Sequence, residues 1–341
     1  MDHEFKIKCI NKIQYLITKF QLQLEFKTYI ETSSMCKFDM ITLGHTKIKD
    51  ILKYEIEFQN VLGNKTILSH CNGLINITLP KDKQEILPLM NLLQSEFYNQ
   101  CPGLLKIALG ENINGAMIVG NLSLWKHVLI AGETGGGKSI CMHCFINSLI
   151  YNCDPSDVKM ILIDRNRVEF TLYENIKYLL RPVIYELNEA EKTLSWLVTE
   201  MKSRYHLFSQ NKCRDIESYK KKGNHLPYIV VFIDEFQIIT LNSDKAEKNL
   251  IELFTQSRKA GIHLVIATQK PTTDVITPLI KANIPTRIAF SVGSHYDSQT
   301  ILGQPGAEKL NKKGDMILKD EDGYEEYKEP FYQKRKLKEM Y

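Results

Sequence analysis

The stretch HVLIAGETGGGKSICMHC, residues 127–144, decides the fold of this chain. An apolar run, HVLIA, is followed by a segment with four glycines, then a lysine, a serine and a second apolar run. The centre of the stretch fits the pattern G-x-x-x-x-G-K-[ST]. The flanking runs predict a buried strand before the pattern and a helix after it, which is the context in which it forms a phosphate-binding loop.

The glycines of this loop expose backbone N–H groups to a phosphate chain and tolerate positive φ. The following helix directs the positive end of its dipole at the anion. Lys138 is expected to reach the β- and γ-phosphates, and the Ser139 hydroxyl to ligate magnesium. We therefore predict ATP and Mg²⁺ as cofactors; the alternative is a glycine-rich turn with a stray lysine. The predicted nucleotide-binding residues are Gly132, Glu133, Thr134, Gly135, Gly136, Gly137, Lys138, Ser139 and Ile140.

Polar residues follow two other apolar runs. YIVVFIDEF, residues 228–236, carries Asp234 and Glu235 near its end. Carboxylates at the carboxyl end of a buried strand lie in the ligand crevice of an open α/β sheet. We predict that Asp234 holds hydrated magnesium and that Glu235 deprotonates the attacking water; a solvated acidic strand end is the alternative. The run IHLVIATQ ends in Gln269, an amide suited to sensing the γ-phosphate, although many strands end in glutamine.

The pattern of the whole chain favours an α/β fold. Five apolar, β-branched runs alternate with longer helical segments after residue 120, which predicts a mostly parallel sheet covered by helices on both faces. Before residue 120, short strand-like pieces such as QLQLEFKTYI and GLINITLP alternate with polar turns and predict a small α+β module. The predicted domains are residues 1–120 (accessory module), 121–318 (ATPase domain) and 319–341 (basic tail).

Composition excludes several classes of protein. The chain has 341 residues and a formal net charge of +4, which is too weak to identify a nucleic-acid partner. Its eight cysteines show no regular spacing, and we expect a reducing cytoplasmic location. No window approaches the roughly 18 to 20 apolar residues of a membrane helix. We therefore expect no direct membrane insertion, although a membrane-associated partner is compatible with the sequence.

Five segments together give a more specific indication. HVLIAGETGGGKS, YIVVFIDEF, SRKAGIHLVIATQKPTTDVITPLIKANIPTRIAFSV, DSQTILGQPGAEKL and GDMIL occur in an order and spacing that resemble the FtsK/SpoIIIE family of DNA translocases, over about residues 100–318. The segment before it is similar, more faintly, to the ring-forming module of that family. The resemblance implies a RecA-like motor that assembles as a hexameric ring around double-stranded DNA and hydrolyses ATP at subunit boundaries.

The resemblance also implies roles for individual residues. Lys138, Ser139, Asp234, Glu235 and Gln269 match the nucleotide loop, the magnesium and water residues, and the γ-phosphate sensor of the family. The catalytic set is thus Lys138, Glu235, Gln269 and a further arginine described next.

Arg258, in SRKAG, matches the arginine that one subunit of the family supplies to its neighbour's site, and Arg287, in PTRIAF, is a second candidate. A guanidinium in that position neutralises developing phosphate charge; the alternative for either residue is a surface or interface salt bridge. In the turn after ATQ, Lys270 and Thr272 match a pore-facing turn, which implies salt-dependent contacts with DNA phosphates.

Some positions differ from the family or invite another interpretation. Asp164-Arg165-Asn166-Arg167 replaces a step of the type Asp-Pro-Lys, which leaves the partner of the shifted charge open. Cys141 and Cys144 form a C-x-x-C pattern on the helix after the loop; we expect them to pack in the core, with redox or metal chemistry as the alternative.

The sequence therefore predicts an ATP-dependent double-stranded DNA translocase that works as a homohexamer. One alternative shares the fold but handles another cargo: a coupling-protein ATPase of a conjugation or secretion system, acting on a protein or relaxase-bound DNA. A nucleotide-switched scaffold that binds DNA or partners without processive movement is a third.

Overall fold

The computed structural model describes most of the chain, as two compact units. The smaller unit contains residues 1–86 and 111–116, and the larger contains residues 87–110 and 117–341. The described residues are 3–33, 35–44, 47–63, 66–71, 73–81, 87–112, 114–312, 314–320 and 323–328.

The smaller unit is a four-stranded antiparallel sheet with three helices. Its strands are β1 (Leu24–Glu31), β2 (Met35–Thr42), β3 (Ile67–Cys71) and β4 (Leu74–Pro80), and its helices are α1 (His3–Lys19), α2 (Ile48–Leu52) and α3 (Glu55–Leu62). The sheet order is β1-β2-β4-β3. Leu16, Phe38, Phe58 and Ile77 lie in its own buried core. The two strand-like pieces predicted from the sequence are confirmed as β1 and β4.

The larger unit carries the nine remaining strands and ten remaining helices of the described chain. The strands are β5 (Lys106–Asn112), β6 (Met117–Asn121), β7 (Val128–Ala131), β8 (Val158–Asp164), β9 (Tyr228–Asp234), β10 (Ile262–Thr268), β11 (Thr286–Phe290), β12 (Asp315–Lys319) and β13 (Tyr324–Lys328). The helices are α4 (Leu89–Leu93), α5 (Glu96–Gln100), α6 (Leu122–Trp125), α7 (Lys138–Asn152), α8 (Leu187–Gln210), α9 (Ile216–Lys221), α10 (Phe236–Thr240), α11 (Asp244–Gln256), α12 (Pro278–Asn283) and α13 (His295–Leu302).

The central sheet has the order β6-β5-β13-β12-β11-β7-β10-β9-β8. Five neighbouring strands run parallel to one another: β11, β7, β10, β9 and β8. Strand β12 pairs in antiparallel fashion with β11 on one side and with β13 on the other. All five predicted apolar runs are strands of this sheet, so the prediction of a mostly parallel α/β fold is confirmed. The strand of the phosphate loop, β7, and the acidic strand, β9, are separated by β10 alone, which brings all three strand ends to one edge.

Alternation along β9 shows why its sequence is almost entirely apolar. Val230 and Phe232 lie in a core cluster with residues of α7, whereas Val231 and Ile233 lie in another with α8 and α11. Successive strand residues point to opposite faces, so a strand covered on both faces carries no polar alternation. The sheet is therefore packed by helices on both sides, as predicted.

The observed division of the chain differs from the predicted boundary at residue 120. Residues 87–110 belong to the larger unit, because α4 and α5 pack on α7 in the same core and β5 joins the large sheet. Tyr98 donates a hydrogen bond from its hydroxyl to the Ser148 carbonyl at 3.0 Å, and the Ala108 N–H donates to the Ser148 hydroxyl at 3.0 Å. These bonds fix the segment to the helix after the phosphate loop.

The predicted tail also begins later than expected. β12 ends at Lys319, and β13 pairs with it in antiparallel fashion, so residues up to 328 belong to the sheet. Residues 329–341 lie outside the described part. Among the helices of the described residues, none combines the length and apolarity that crossing a bilayer requires.

Candidate nucleotide-binding site

The loop between β7 and α7 has the conformation that its glycines permit. Gly132, Gly135 and Gly137 have φ values of 154°, 78° and 134°, which L side chains rarely adopt. A Cβ on Gly132 would lie 2.7 Å from the Phe290 Cβ, and one on Gly136 would lie 3.1 Å from the Glu133 carbonyl oxygen. Gly132 and Gly136 therefore leave no room for a side chain, and the positive φ of Gly135 disfavours one.

The other predicted loop residues lie where the pattern places them. Glu133 donates from its N–H to the Ser291 carbonyl at 2.9 Å and forms an ion pair with Lys312 at 2.6 Å. Lys138, Ser139 and Ile140 form the first turn of α7.

Lys138 is buried and bonded to its own loop. Its Nζ donates to the carbonyls of Gly132 at 2.7 Å and Glu133 at 3.0 Å. Burial lowers the pKa of Lys138, while nearby carboxylates, Glu235 and Asp234 first among them, act in the opposite direction. A buried ammonium that is bonded only to neutral carbonyls is well placed to exchange them for phosphate oxygens.

Asp164, at the carboxyl end of β8, organises the loop that follows. Its Oδ2 accepts the backbone N–H groups of Val168, Glu169 and Phe170 at 2.9, 2.8 and 3.0 Å. This anchorage places the Glu169 carboxylate beside the loop helix, where Ser139 Oγ donates to Glu169 Oε1 at 2.9 Å.

Asp234 ends β9 directly opposite Asp164 of β8. Burial, followed by the charges of Glu235, Asp164 and Glu169, raises the pKa of Asp234 to about 7. Several carboxylates crowded into a buried site repel one another, and a divalent cation relieves that repulsion. The charge distribution therefore fits the magnesium ion predicted for this position.

Glu235 is held in place by two donors. It has left-handed backbone angles, φ 52° and ψ 55°, at the start of α10. Its Oε2 accepts from the Gln237 side-chain amide and, at 3.2 Å, from the Gln269 N–H. Within the described part of the chain, neither Glu235 Oε1 nor Gln237 Oε1 has a hydrogen-bond partner, and both are buried. An oriented carboxylate with one unengaged buried oxygen is suited to accept a proton from a positioned water.

Gln269 connects the base to the phosphate loop. Thr134 Oγ1 donates to Gln269 Oε1 at 2.5 Å, while the backbone N–H of the same glutamine binds Glu235. The structure thus brings together Thr134, Lys138, Asp234, Glu235 and Gln269, which the sequence predicted as members of one site.

The two candidate arginines lie in different environments. Arg258 is exposed in a short 3₁₀ helix, Ser257–Ala260, just before β10. It is separated from Gln269 by the length of that strand, about 20 Å. Arg287 is buried in β11 and donates to the carbonyls of Lys281, Ile284 (2.9 Å) and Ile301 (3.2 Å). These bonds hold the Arg287 guanidinium at the ends of two helices of its own chain, which favours a structural role for this residue.

The turn proposed to contact DNA contains one exposed and one buried candidate. Lys270 is exposed. The hydroxyl oxygen of Thr272, by contrast, is buried, so the structure does not support Thr272 as a phosphate contact.

The open interpretations outside the site also resolve. Arg167 forms an ion pair with Glu186 at 2.7 Å, and Arg165 lies 3.8 Å from the same carboxylate, so the shifted charge has a partner. Cys141 and Cys144 are buried in the core on α7, which confirms packing as their role.

Three polar residues of the site have no counterpart in the sequence predictions. The sequence pattern places Asp164 only in a charge step and does not single out Glu169 or Gln237. Strand-end position could have indicated Asp164. For Glu169 and Gln237 no comparable signal exists, since their roles depend on how a loop and a one-turn helix fold back.

This fold and this loop define a P-loop ATPase. Comparison with known proteins narrows the class: residues 88–273 match the model of the FtsK/SpoIIIE family. The chain is 37% identical over 325 residues, 93% of its length, to the DNA translocase FtsK of Caldanaerobacter subterraneus subsp. tengcongensis. It is 43% identical over 280 residues, 80% of its length, to the DNA translocase SftA of Bacillus subtilis. The chain belongs to the FtsK/SpoIIIE family, as its motifs predict.

The chain spans less than half the length of these relatives, 46% of the first and 29% of the second. Solved structures show the same fold at lower identity. The pCW3 conjugation coupling protein TcpA, a monomer form with ATPγS, aligns with 99% of this chain and 98% of its own at a TM-score of 0.65 and 20% identity. The cytoplasmic domain of the type VII secretion ATPase EccC of Thermomonospora curvata covers 73% of this chain and 32% of its own, at a TM-score of 0.64 and 18% identity.

Proposed function

We propose that this chain is the motor of an ATP-driven double-stranded DNA translocase that works as a hexameric ring and hydrolyses ATP at the boundaries between its copies. The observation that carries the proposal is the arrangement at one edge of the central sheet, where Lys138, Asp234, Glu235 and Gln269 meet. Family membership and the names of the relatives support DNA as the cargo.

In this site each residue has a role that its contacts support. Lys138 would exchange the loop carbonyls for oxygens of the β- and γ-phosphates, and Ser139 and Asp234 would hold magnesium. Bound magnesium supplies charge neutralisation at the phosphates. Glu235 accepts the proton of the attacking water through its unengaged oxygen. Gln269 couples the position of Glu235 to the presence of the γ-phosphate, because its backbone N–H binds the Glu235 carboxylate.

The position of Arg258 supports shared sites. It is exposed and lies about 20 Å along β10 from Gln269 of the same chain. In a head-to-tail ring such a residue faces the next copy, where a guanidinium stabilises the transferring phosphate. For DNA, the exposed Lys270 supplies a sequence-independent phosphate contact.

The decisive test is displacement of a third strand from a linear duplex, because only movement along the duplex removes the triplex. With ATP and magnesium we expect displacement and a strong increase in ATP hydrolysis on addition of plain duplex. Glu235→Gln should bind ATP normally, hydrolyse it about 100-fold or more slowly, and displace nothing, because it lacks the base.

Glu247→Gln, in the first turn of α11, is the matched control and should behave like the wild type. If duplex leaves hydrolysis unchanged and a partner protein stimulates it, the coupling-protein alternative holds instead. If Glu235→Gln hydrolyses ATP at the wild-type rate, the chain acts as a nucleotide-switched scaffold.

A further inference from the structure

We propose that Glu169 is a positioning residue for magnesium, which orients the Ser139 hydroxyl so that its oxygen lone pairs face the metal. The inference rests on the proposed function, since it concerns Mg²⁺-ATP bound at this loop. It assigns a role to a carboxylate outside both the loop pattern and the acidic end of β9.

The hydrogen bond between Ser139 and Glu169 has a defined direction. Ser139 Oγ lies 2.9 Å from Glu169 Oε1, and an ionised carboxylate only accepts. The hydroxyl proton is therefore directed at Glu169, and the lone pairs of the oxygen are directed elsewhere. Cations such as magnesium bind oxygen through those lone pairs, so this orientation prepares the serine as a ligand.

Glu169 is itself held in position by the anchorage of its loop to Asp164. The loop that carries it hangs from Asp164, whose Oδ2 accepts three successive backbone N–H groups, that of Glu169 at 2.8 Å. Its second carboxylate oxygen lies 3.5 Å from His143 Nε2. His143 is fixed in turn, since its Nδ1 lies 2.8 Å from the Tyr173 hydroxyl. The anchored backbone of Glu169 and the hydrogen bond at its Oε1 therefore fix the direction in which the serine hydroxyl donates.

The residue that anchors the Glu169 loop also lies beside the predicted magnesium residue. Asp164, which anchors the loop, pairs in register with Asp234 on the neighbouring strand. The same residue thus sets the position of Glu169 and stands opposite the predicted magnesium residue. A loop that served stability alone would not need its carboxylate on the one hydroxyl that the metal uses.

The test measures magnesium dependence separately from nucleotide binding. A fluorescent ATP analogue is titrated onto the protein in EDTA and then at rising Mg²⁺ concentrations, for the wild type, Glu169→Ala, Glu169→Gln, Ser139→Ala and the double variant Ser139→Ala/Glu169→Ala. We expect Glu169→Ala to raise the Mg²⁺ concentration for half-maximal tight binding about tenfold, with binding in EDTA unchanged. Glu169→Gln, whose amide oxygen still accepts, should show a smaller change.

The double variant should be no worse than Ser139→Ala, because Glu169 acts only through that hydroxyl. Glu186→Gln, whose carboxylate is exposed and pairs with Arg167, is the control and should match the wild type. Additive effects of the two substitutions, or equal losses with and without Mg²⁺, would overturn the inference. Wild-type protein that binds no nucleotide under either condition would refute the proposed function instead. Should Glu169→Ala unfold, Glu169→Gln decides by the same criteria.

Discussion

The two edges of the central sheet differ in how they treat charge. At the carboxyl edge, Lys138, Asp164, Asp234 and Glu235 are all buried within one site. At the amino edge, the buried titratable side chains of β10 and of the residue before β7 are His263 and His127. His127 Nδ1 accepts the Leu264 N–H at 3.1 Å, which requires a neutral ring. His263 Nδ1 donates to the Lys126 carbonyl at 2.7 Å, and burial lowers the pKa of His263 to about 4, which favours the neutral form.

This difference in buried charge indicates which edge of the sheet requires a ligand. Buried carboxylates in excess over buried cations are stabilised by a bound cation, so the carboxyl edge is suited to bind one. At the amino edge, one nitrogen of each buried histidine is hydrogen-bonded within the chain, and Arg258 is exposed to solvent. The proposed function assigns these two edges to opposite sides of a contact between copies, with Arg258 of one copy facing the carboxyl edge of the next.

The largest expected effect follows from replacing Arg258 at the amino edge. Arg258→Ala should reduce duplex-stimulated ATP hydrolysis about 1,000-fold, because the transferring phosphate loses its neutralising guanidinium. ATP binding should remain, since the loop of the same chain is intact. Phosphate release and binding of a fluorescent ATP analogue measure the two quantities.

A mixing experiment shows whether the residue acts on a neighbour. Equal amounts of Arg258→Ala and Lys138→Ala chains, each inactive alone, form intact sites at about a quarter of the boundaries in randomly mixed rings. Hydrolysis should therefore reappear on mixing. Lys259→Ala, a change at the exposed neighbouring position, should leave activity unchanged. No recovery in the mixture contradicts the shared site.

Arg287, the other arginine at this edge, should affect stability instead. Arg287→Met leaves the carbonyls of Lys281, Ile284 and Ile301 without their buried donor. We expect a loss of about 3 kcal/mol in the free energy of unfolding, measured by urea denaturation.

The matched control is Arg214→Met, because the Arg214 side chain is 90% exposed; its free energy of unfolding should change by less than about 0.5 kcal/mol. If Arg287→Met protein is as stable as the wild type and has lost only ATP hydrolysis, Arg287 is instead the arginine that acts on the neighbouring site.

The smallest expected effect is a dependence of stability on pH, with opposite signs at the two edges. Burial lowers the pKa of His127 to about 3 and that of His263 to about 4. Between pH 6.5 and 5.5 these two histidines go from about half to almost fully protonated in the unfolded chain but stay neutral in the folded protein, so stability falls as pH falls. Asp234, whose pKa is raised to about 7, gains a proton in the folded protein and opposes this loss.

The measurement is urea unfolding of Asp234→Asn at several pH values, because this variant removes the opposing group. We expect a loss of about 2 kcal/mol from pH 6.5 to 5.5, and a smaller loss in the wild type. His225→Gln, at a side chain that is 61% exposed, should leave the slope unchanged. A flat profile in Asp234→Asn would show that the two histidines are not buried as neutral rings.

Much of the central sheet could be predicted from the sequence, because a strand covered on both faces must be apolar throughout. The predicted runs YIVVFIDEF and IHLVIATQ contain β9 and β10, which begin at the first residue of each run. The start of the larger unit could not be predicted, since α4 and α5 are five-residue helices without a measurable period. The strand β5 joins the sheet through pairings distant in sequence, which no local pattern encodes.

For the site, the sequence indicated the groups that chemistry requires at fixed spacing. Lys138 and Ser139 follow from the loop pattern, and Asp234 and Glu235 from the strand end. Glu169 and Gln237 depend on the geometry of short segments: one hangs from Asp164, and the other turns back to the residue two positions before it. Such contacts leave no spacing signature.

Gln269 spans two functions within one residue: its side chain touches Thr134 of the phosphate loop, and its own N–H holds the carboxylate of Glu235. The next residue is the exposed Lys270. A force applied to this turn would also move the N–H that orients the Glu235 carboxylate, so the position of that carboxylate depends on whatever Lys270 contacts.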